Sequence, residues 1–277
     1  MRRALVLGGG GVTGVAWELG MLAGLAERGV PVTEADLVVG TSAGSVVGAQ
    51  VRSGVPLEQL YEEQLAPRTG EATARLGFVA LARLVWAGGR TRDAARSRAR
   101  IGAMAVAART PSEASQRAVI EARLPTRDWP RQRLLVTAVD AATGEFVVFD
   151  GADGVSLVDA VGASCAVPGV WPPVTIGSRR FVDGGMRSTV NADLAAGAQR
   201  VLVLAPTSAA FGPMPRLSAQ VDELRTAGAQ VVVVTPDAAA RTAIGRNVLD
   251  PARRAGAARA GRAQAAVVAD EVRGLWA

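Results

Sequence analysis

The chain has 277 residues, of which 49% are apolar, so it can bury one sizeable core, and we expect a single domain spanning residues 1–277. The formal charge of +6 comes entirely from arginine, since the sequence contains no lysine, and it favours anionic partners. Aromatic residues make up 4% and do not interleave with the arginines, which argues against nucleic acid. Because histidine is absent, Ser-His-Asp triads and histidine-ligated metal sites are excluded.

Two further features bear on the compartment. The single cysteine, Cys165, excludes an internal disulfide and indicates a reducing environment. The apolar run near the N-terminus ends at Leu7, where glycines follow, and it is too short for a signal peptide or a membrane span. We therefore expect a cytoplasmic protein.

Two strand–loop–helix units open the chain. An apolar run at residues 4–7 precedes a glycine loop, and apolar residues at helical spacing then predict a helix over residues 15–28. The same unit recurs as a strand at 37–40, a sharp turn and a helix at 43–52. Further strands are predicted at residues 134–139, 146–149, 180–183, 201–205 and 231–235. This alternation predicts an α/β fold with a mostly parallel sheet covered on both faces.

Two segments are predicted to be helical throughout. Residues 61–124 carry no strand pattern and are expected to form a helical insertion against the core. Residues 250–277 are expected to form a helical tail on the outside of the sheet, with Pro251 at the first helical position. An apolar stripe in the insertion predicts either a lid or membrane contact, or else a buried core helix; it consists of Leu76, Val79, Leu84 and Trp86.

Three arginines of the insertion are spaced at i, i+4 and i+8, namely Arg92, Arg96 and Arg100. On one helix this spacing stacks like charges along one face, which costs a few tenths of a kcal/mol per pair. An anionic surface would offset that cost, whereas the alternative is a solvated face.

The first glycine loop, residues 8–14, admits two interpretations. Its G-x-G-x-x-G spacing matches a dinucleotide fingerprint. That fingerprint needs a carboxylate at the end of the second strand, whereas Glu34 and Asp36 precede this strand. The alternative is an oxyanion hole, in which successive backbone N–H groups point at one spot beside a helix N-terminus.

A candidate nucleophile follows at the second strand–helix turn. Residues 40–44 read Gly-Thr-Ser-Ala-Gly and match G-x-S-x-G, in which Gly40 and Gly44 relieve crowding so that Ser42 stands exposed. The alternative role for Ser42 is a helix N-cap.

Without histidine, a carboxylate has to deprotonate the serine. A carboxylate can do so if it contacts the serine and burial raises its pKa towards neutrality. Asp183 ends an apolar strand and is followed by Gly184 and Gly185, which would let another backbone approach. The alternative for Asp183 is an ordinary turn residue.

Taken together and in this order, the glycine loop, G-x-S-x-G and Asp-Gly-Gly resemble the patatin-like phospholipase family, and the resemblance runs from Leu5 to about Pro206. The segment from Ala163 to Pro173, rich in small residues and proline, is also similar. The resemblance implies a three-layer α/β/α fold and a Ser-Asp dyad that hydrolyses acyl esters of phospholipids or neutral lipids.

Carried over by position, Ser42 would attack the acyl carbonyl, and Asp183 would take its proton and later activate water. Backbone groups would form the oxyanion hole, at Gly9, Gly10, Gly11 and Ala43. Gly14, Gly40, Gly44 and Gly184 would support the motifs.

The resemblance implies neither a cofactor nor a metal. The expected partners are a lipid or acyl-ester substrate and, through the arginine-rich helices, the inner face of an anionic membrane. One departure is Thr13, where the family commonly has Arg or Lys, and it removes a positive side chain from the loop. Cys165 is expected to be a packing residue. The alternatives are a non-catalytic lipid-binding relative and a dinucleotide-binding enzyme.

Overall fold

The computed structural model describes residues 2–66 and 91–277, and these form one sheet of eight strands with helices around it. The strands are β1 (Arg3–Leu7), β2 (Leu37–Gly40), β3 (Arg133–Asp140), β4 (Phe146–Phe149), β5 (Val174–Ile176), β6 (Arg179–Asp183), β7 (Arg200–Leu204) and β8 (Gln230–Val234). The helices are α1 (Gly11–Glu27), α2 (Ala43–Val51), α3 (Leu57–Leu65), α4 (Ala94–Ala107), α5 (Glu113–Glu121), α6 (Leu157–Ser164), α7 (Leu217–Thr226), α8 (Ala238–Ile244) and α9 (Arg254–Trp276).

The sheet is mostly parallel, as predicted. Strands β3, β2, β1, β7 and β8 are neighbours in that order and run in one direction. Strands β4 and β6 both pair antiparallel with β3, and β5 pairs antiparallel with β6. The carboxyl ends of the parallel strands therefore meet at one edge, where connecting loops of α/β folds carry their functional groups.

Alternation along the strands gives the sheet two apolar faces. On β1, Leu5 and Leu7 join the larger core, which α1, α2, α6 and α9 cover. Ala4 and Val6 join a second core, which includes Val221 of α7. Because helices cover both faces, the architecture is the expected three-layer α/β/α arrangement.

Helices α1 and α9 pack closely because small residues line their contact. A Cβ atom added to Gly20 would lie 2.0 Å from the Ala258 carbonyl oxygen, and one added to Gly261 would lie 2.2 Å from the Trp17 carbonyl oxygen. The C-terminal helix thereby buries its apolar stripe, including Trp276, in the larger core. The tail thus packs mainly on another helix and also contacts β7 and β8.

Several predicted bounds were wrong for local reasons. Helix α1 begins at Gly11 instead of residue 15, because the last part of the glycine loop forms its first turn although glycine disfavours helix. Strand β5 was missed because three residues are too few for a period-2 pattern. The residue-92 arginine precedes Asp93, the N-cap of α4, so of the three spaced arginines Arg96 and Arg100 share the helix.

The predicted insertion is only partly described. Its described residues form the end of α3 and helices α4 and α5, and they contain no strand. The apolar stripe from Leu76 to Trp86 lies outside the described residues. Among the helices of residues 2–66 and 91–277, none combines the length and the apolar character that crossing a membrane requires.

Candidate active site

Ser42 stands on a sharp turn between β2 and α2. Its backbone φ of 52° and ψ of −114° place a non-glycine residue in a conformation that side chains rarely adopt. The flanking glycines make the turn sterically feasible. A Cβ atom on Gly44 would lie 2.1 Å from the Leu7 carbonyl oxygen, and one on Gly40 would lie 2.5 Å from the Ser45 Cα atom. The geometry is that of the strained strand-to-helix elbow expected from G-x-S-x-G.

Asp183 is the last residue of β6 and is 3% exposed. Burial raises the pKa of its carboxyl group to about 7, although hydrogen bonds from the Ser42 side chain and the Gly185 N–H oppose this rise. The Gly185 nitrogen lies 2.7 Å from Asp183 Oδ1. The structure therefore places the two predicted residues close enough for the Ser42 side chain to lower the pKa of Asp183.

The glycine loop lies beside the serine. A Cβ atom on Gly9 would be 3.5 Å from the Ser42 Cβ atom, so a side chain there would crowd Ser42. The Gly9 N–H is already used, since it donates to the Thr189 carbonyl oxygen at 2.7 Å. Within the described residues, the N–H groups of Gly10, Gly11 and Ala43 have no such acceptor.

Two helix N-termini converge on this place. Gly11 and Ala43 are the first residues of α1 and α2, and a Cβ atom added to Gly14 in the first turn of α1 would lie 3.4 Å from the Ala43 Cβ atom. The first N–H groups of a helix have no partner inside it and carry a partial positive charge. The arrangement can stabilise a negative oxygen beside Ser42.

Thr13 faces away from solvent. It is fully buried, and both its backbone nitrogen, at 3.0 Å, and its hydroxyl, at 3.2 Å, bond the carbonyl oxygen of Val248. Its side chain links the first turn of α1 to the segment before the C-terminal helix. The threonine thus has a structural role here that sequence reasoning did not predict.

The elbow is also held by residues that sequence reasoning missed. The Ser42 N–H donates to Ser164 Oγ at 2.9 Å, and Cys165 Sγ lies 3.4 Å from the Ser42 carbonyl oxygen. Burial, together with the Asp183 charge, raises the pKa of the Cys165 thiol to about 12, so the nucleophilic thiolate is disfavoured. This agrees with a packing role for the cysteine. The feature of the sequence that could have predicted these contacts is the run of small residues that begins at Ala163.

The acidic residues that a dinucleotide-binding site would need, Glu34 and Asp36, lie at the opposite edge of the sheet from the glycine loop. Asp36 precedes β2, and its Oδ2 atom accepts a hydrogen bond from the Arg3 nitrogen at 2.6 Å, at the start of β1. The glycine loop follows the other end of β1. In the described part of the chain, no group of histidine, cysteine and carboxylate residues is suited to hold a metal ion.

Comparisons with known proteins agree with this architecture. A family model described as patatin-like phospholipase matches residues 5–196, and the chain therefore belongs to the patatin-like phospholipase family. This membership supports hydrolysis of lipid esters.

Two solved structures are similar to the chain. VipD from Legionella pneumophila has a TM-score of 0.52 and 14% identity, covering 98% of this chain and 67% of that chain, and it shares the fold. The type III effector protein ExoU has a TM-score of 0.43 and 18% identity, covering 98% of this chain and 53% of that chain. No curated protein gave a significant sequence match.

Proposed function

We propose that the protein is a serine lipid acyl hydrolase in which Ser42 is the nucleophile and Asp183 its base. The observation that carries this proposal is a buried carboxyl group whose pKa is about 7 and is lowered in part by the side chain of Ser42, a residue on a strained elbow. A base with a pKa near neutrality is half ionised at the pH of a cell yet basic enough to take a proton. The absence of histidine leaves this role to a carboxylate.

In the acylation step, Asp183 accepts the hydroxyl proton as Ser42 Oγ attacks the carbonyl carbon of the acyl ester. The carbonyl oxygen becomes an oxyanion, which the N–H groups of Gly10, Gly11 and Ala43 stabilise. Loss of one such donor reduces the rate by roughly a hundredfold or more. When the tetrahedral intermediate collapses, Asp183 gives its proton to the leaving alcohol and the acyl group stays on Ser42.

In the deacylation step, Asp183 takes a proton from water, whose oxygen attacks the acyl-serine carbonyl carbon. The same N–H groups receive the second oxyanion. The C–O bond to Ser42 then breaks, the proton on Asp183 returns to the serine oxygen, and the fatty acid is released. One carboxyl group thus serves both halves of the reaction.

The family supports esters of phospholipids or neutral lipids as the substrate class, in reactions of the phospholipase A, lysophospholipase or esterase type. Peripheral contact with an anionic membrane remains a prediction. The exposed Arg96 and Arg100 on α4 support it. Cytoplasmic location and the single-domain organisation also remain predictions.

The test is hydrolysis of a chromogenic acyl ester series, together with fluorophosphonate labelling, in wild type and Ser42→Ala. We expect turnover and labelling to vanish together in the variant, while its circular dichroism spectrum is unchanged. A well-folded wild type that neither turns over the esters nor reacts with the fluorophosphonate would contradict the proposal. Membrane binding without turnover would instead indicate a non-catalytic lipid-binding relative.

A further inference from the structure

Strand β3 runs beside both halves of the proposed dyad. Val136 pairs with Gly40, two residues before the serine, and Ala138 pairs with Asp183. Strand β4 occupies the opposite edge of β3 at both Val136 and Ala138. The carboxyl ends of β2 and β6 therefore meet along one edge of β3, and Thr137 lies between them.

The Thr137 hydroxyl contacts the chain on both sides of this junction. The residue is fully buried, and its Oγ1 atom lies 3.0 Å from Thr41 Oγ1 and 3.4 Å from the Gly40 carbonyl oxygen. On the other side, a Cβ atom added to Gly184 would lie 2.2 Å from Thr137 Oγ1. Thr41 immediately precedes Ser42 and Gly184 immediately follows Asp183, so one hydroxyl group touches both neighbours of the dyad.

Asn191 closes the same network from the opposite side. It is fully buried in a left-handed conformation with φ 54° and ψ 43°. Its Nδ2 atom donates to the Ser188 carbonyl oxygen at 2.8 Å and to Thr41 Oγ1 at 3.0 Å. The same Nδ2 atom lies 3.4 Å from the Gly184 carbonyl oxygen. The orientation of the amide is fixed because its Oδ1 atom accepts from Arg187 Nη1 at 2.9 Å.

We propose that Thr137 is a positioning residue that sets the separation between Ser42 Oγ and the Asp183 carboxylate, with Asn191 holding the network in register. The inference rests on the proposed function. The Thr137 hydroxyl hydrogen-bonds Thr41 Oγ1 and accepts from Asn191 Nδ2 at 3.5 Å, and neither a methyl group nor a hydrogen atom in its place can make these bonds. Proton transfer between serine and aspartate depends steeply on their separation. The hydroxyl therefore ties the end of β2 to the end of β6 and holds the two proposed dyad residues in place.

The experiment compares Thr137→Val, which replaces the hydroxyl by a methyl group, with Thr137→Ser, which keeps it. For Thr137→Val we expect kcat to fall about 10-fold to 100-fold with KM little changed. The rate of fluorophosphonate labelling should fall in parallel, whereas the labelled fraction at the end-point stays complete. Partial unfolding would lower the end-point instead, so the two effects are separable. Thr137→Ser should retain most of the wild-type rate.

A matched control is Thr126→Val, which removes a hydroxyl from an exposed loop residue and should leave kcat unchanged. If Thr137→Val does not fold, Thr137→Ala removes the hydroxyl without adding bulk and should show the same loss of rate. Wild-type rates in folded Thr137→Val or Thr137→Ala, or an equal loss in Thr137→Ser, would overturn the inference. A wild type without Ser42 labelling would instead overturn the proposed function, and this inference with it.

Discussion

At the scale of single residues, opposing effects set the pKa of the Asp183 carboxyl group. Burial favours its neutral form, whereas the hydroxyl of Ser42 and the N–H of Gly185 favour the carboxylate. The outcome is a pKa of about 7 instead of the ordinary 3.8. The same burial that destabilises the ionised native protein makes the carboxylate a stronger base, as the proposed proton transfer from serine requires.

This pKa predicts the pH dependence of the reaction. Only ionised Asp183 can accept the proton, so kcat/KM should be low below pH 6, rise through a midpoint about pH 7, and reach a plateau above it. The measurement is kcat/KM for a soluble acyl ester from pH 5 to about 9. Asp183→Asn should keep the fold but lose turnover across this range, because an amide cannot accept the proton. A midpoint near pH 4 would contradict the role assigned to burial.

Sequence motifs were sufficient to propose Ser42, Asp183 and the glycines as candidate site residues, because each proposed role needs a particular chemical type. They did not predict the separation of the two side chains, which depends on how β2 and β6 pair with β3. Ser164 and Thr137 were missed for the same reason, since ordinary hydroxyl residues become distinctive only when the register places them beside the elbow. Nor did the motif predict that the Thr13 side chain bonds Val248.

At the scale of elements, the contact between α1 and α9 depends on the absence of side chains. Gly20→Ala would drive a methyl group into the backbone of Ala258, and we expect it to destabilise the protein by about 2 kcal/mol or more. Gly274→Ala is the matched control, since nothing lies within 4 Å of its added Cβ atom and alanine favours helix. It should stabilise by a few tenths of a kcal/mol. Urea unfolding of both variants gives the comparison.

Should Gly20→Ala prove as stable as wild type, the close approach of the two helices would not be a determinant of stability. A loss for Gly274→Ala would indicate that this position is more constrained than its open surroundings suggest.

Helix α1 also carries a fully buried carboxyl group, that of Glu18. Glu18 is fully buried, and within the described residues neither of its carboxylate oxygens has a hydrogen-bond partner. Burial raises its pKa well above the ordinary value, and the nearby Gly8 N–H, which already donates to Leu204, offsets this only in part. Burial therefore favours the neutral form of the Glu18 side chain in the native protein.

This burial predicts a pH-dependent stability. Because the native pKa of Glu18 is raised, its contribution is fully present below the unfolded value of 4.5 and is lost as pH rises towards the native pKa. Glu18→Met, of similar volume, should therefore gain stability over wild type, by about 1–3 kcal/mol at pH 8 and less at pH 5. Urea unfolding at both pH values measures this difference. A gain independent of pH would mean that ionisation of Glu18 does not limit stability.

At the scale of the whole molecule, the sheet extends beyond the segment that matches the family. The match ends at residue 196, yet β7 lies between β1 and β8 and contributes the fully buried Leu202 and Leu204. The C-terminal part also reaches the glycine loop, because Gly8 donates to Leu204 and Thr13 donates to Val248. The last third of the chain is thus part of the same core as the site.

A fragment ending at residue 196 should consequently not fold. It would leave one edge of β1 unpaired and expose the faces of α1 that pack on α9. We expect no cooperative thermal transition by circular dichroism and no fluorophosphonate labelling, whereas the 277-residue chain under identical conditions should show both. A fragment that melts cooperatively and labels at Ser42 would show that β7, β8 and α9 are dispensable.

The left-handed elbow at Ser42 has an evolutionary consequence. Glycine adopts such a conformation with less strain than serine, so Ser42→Gly should raise the melting temperature, with a gain on the order of 1 kcal/mol, while removing the proposed nucleophile. Heat resistance and chemistry therefore favour different residues at this position. Selection for thermal stability alone would favour glycine at this position and give a more stable protein without activity. Retention of serine at residue 42 therefore requires selection for turnover.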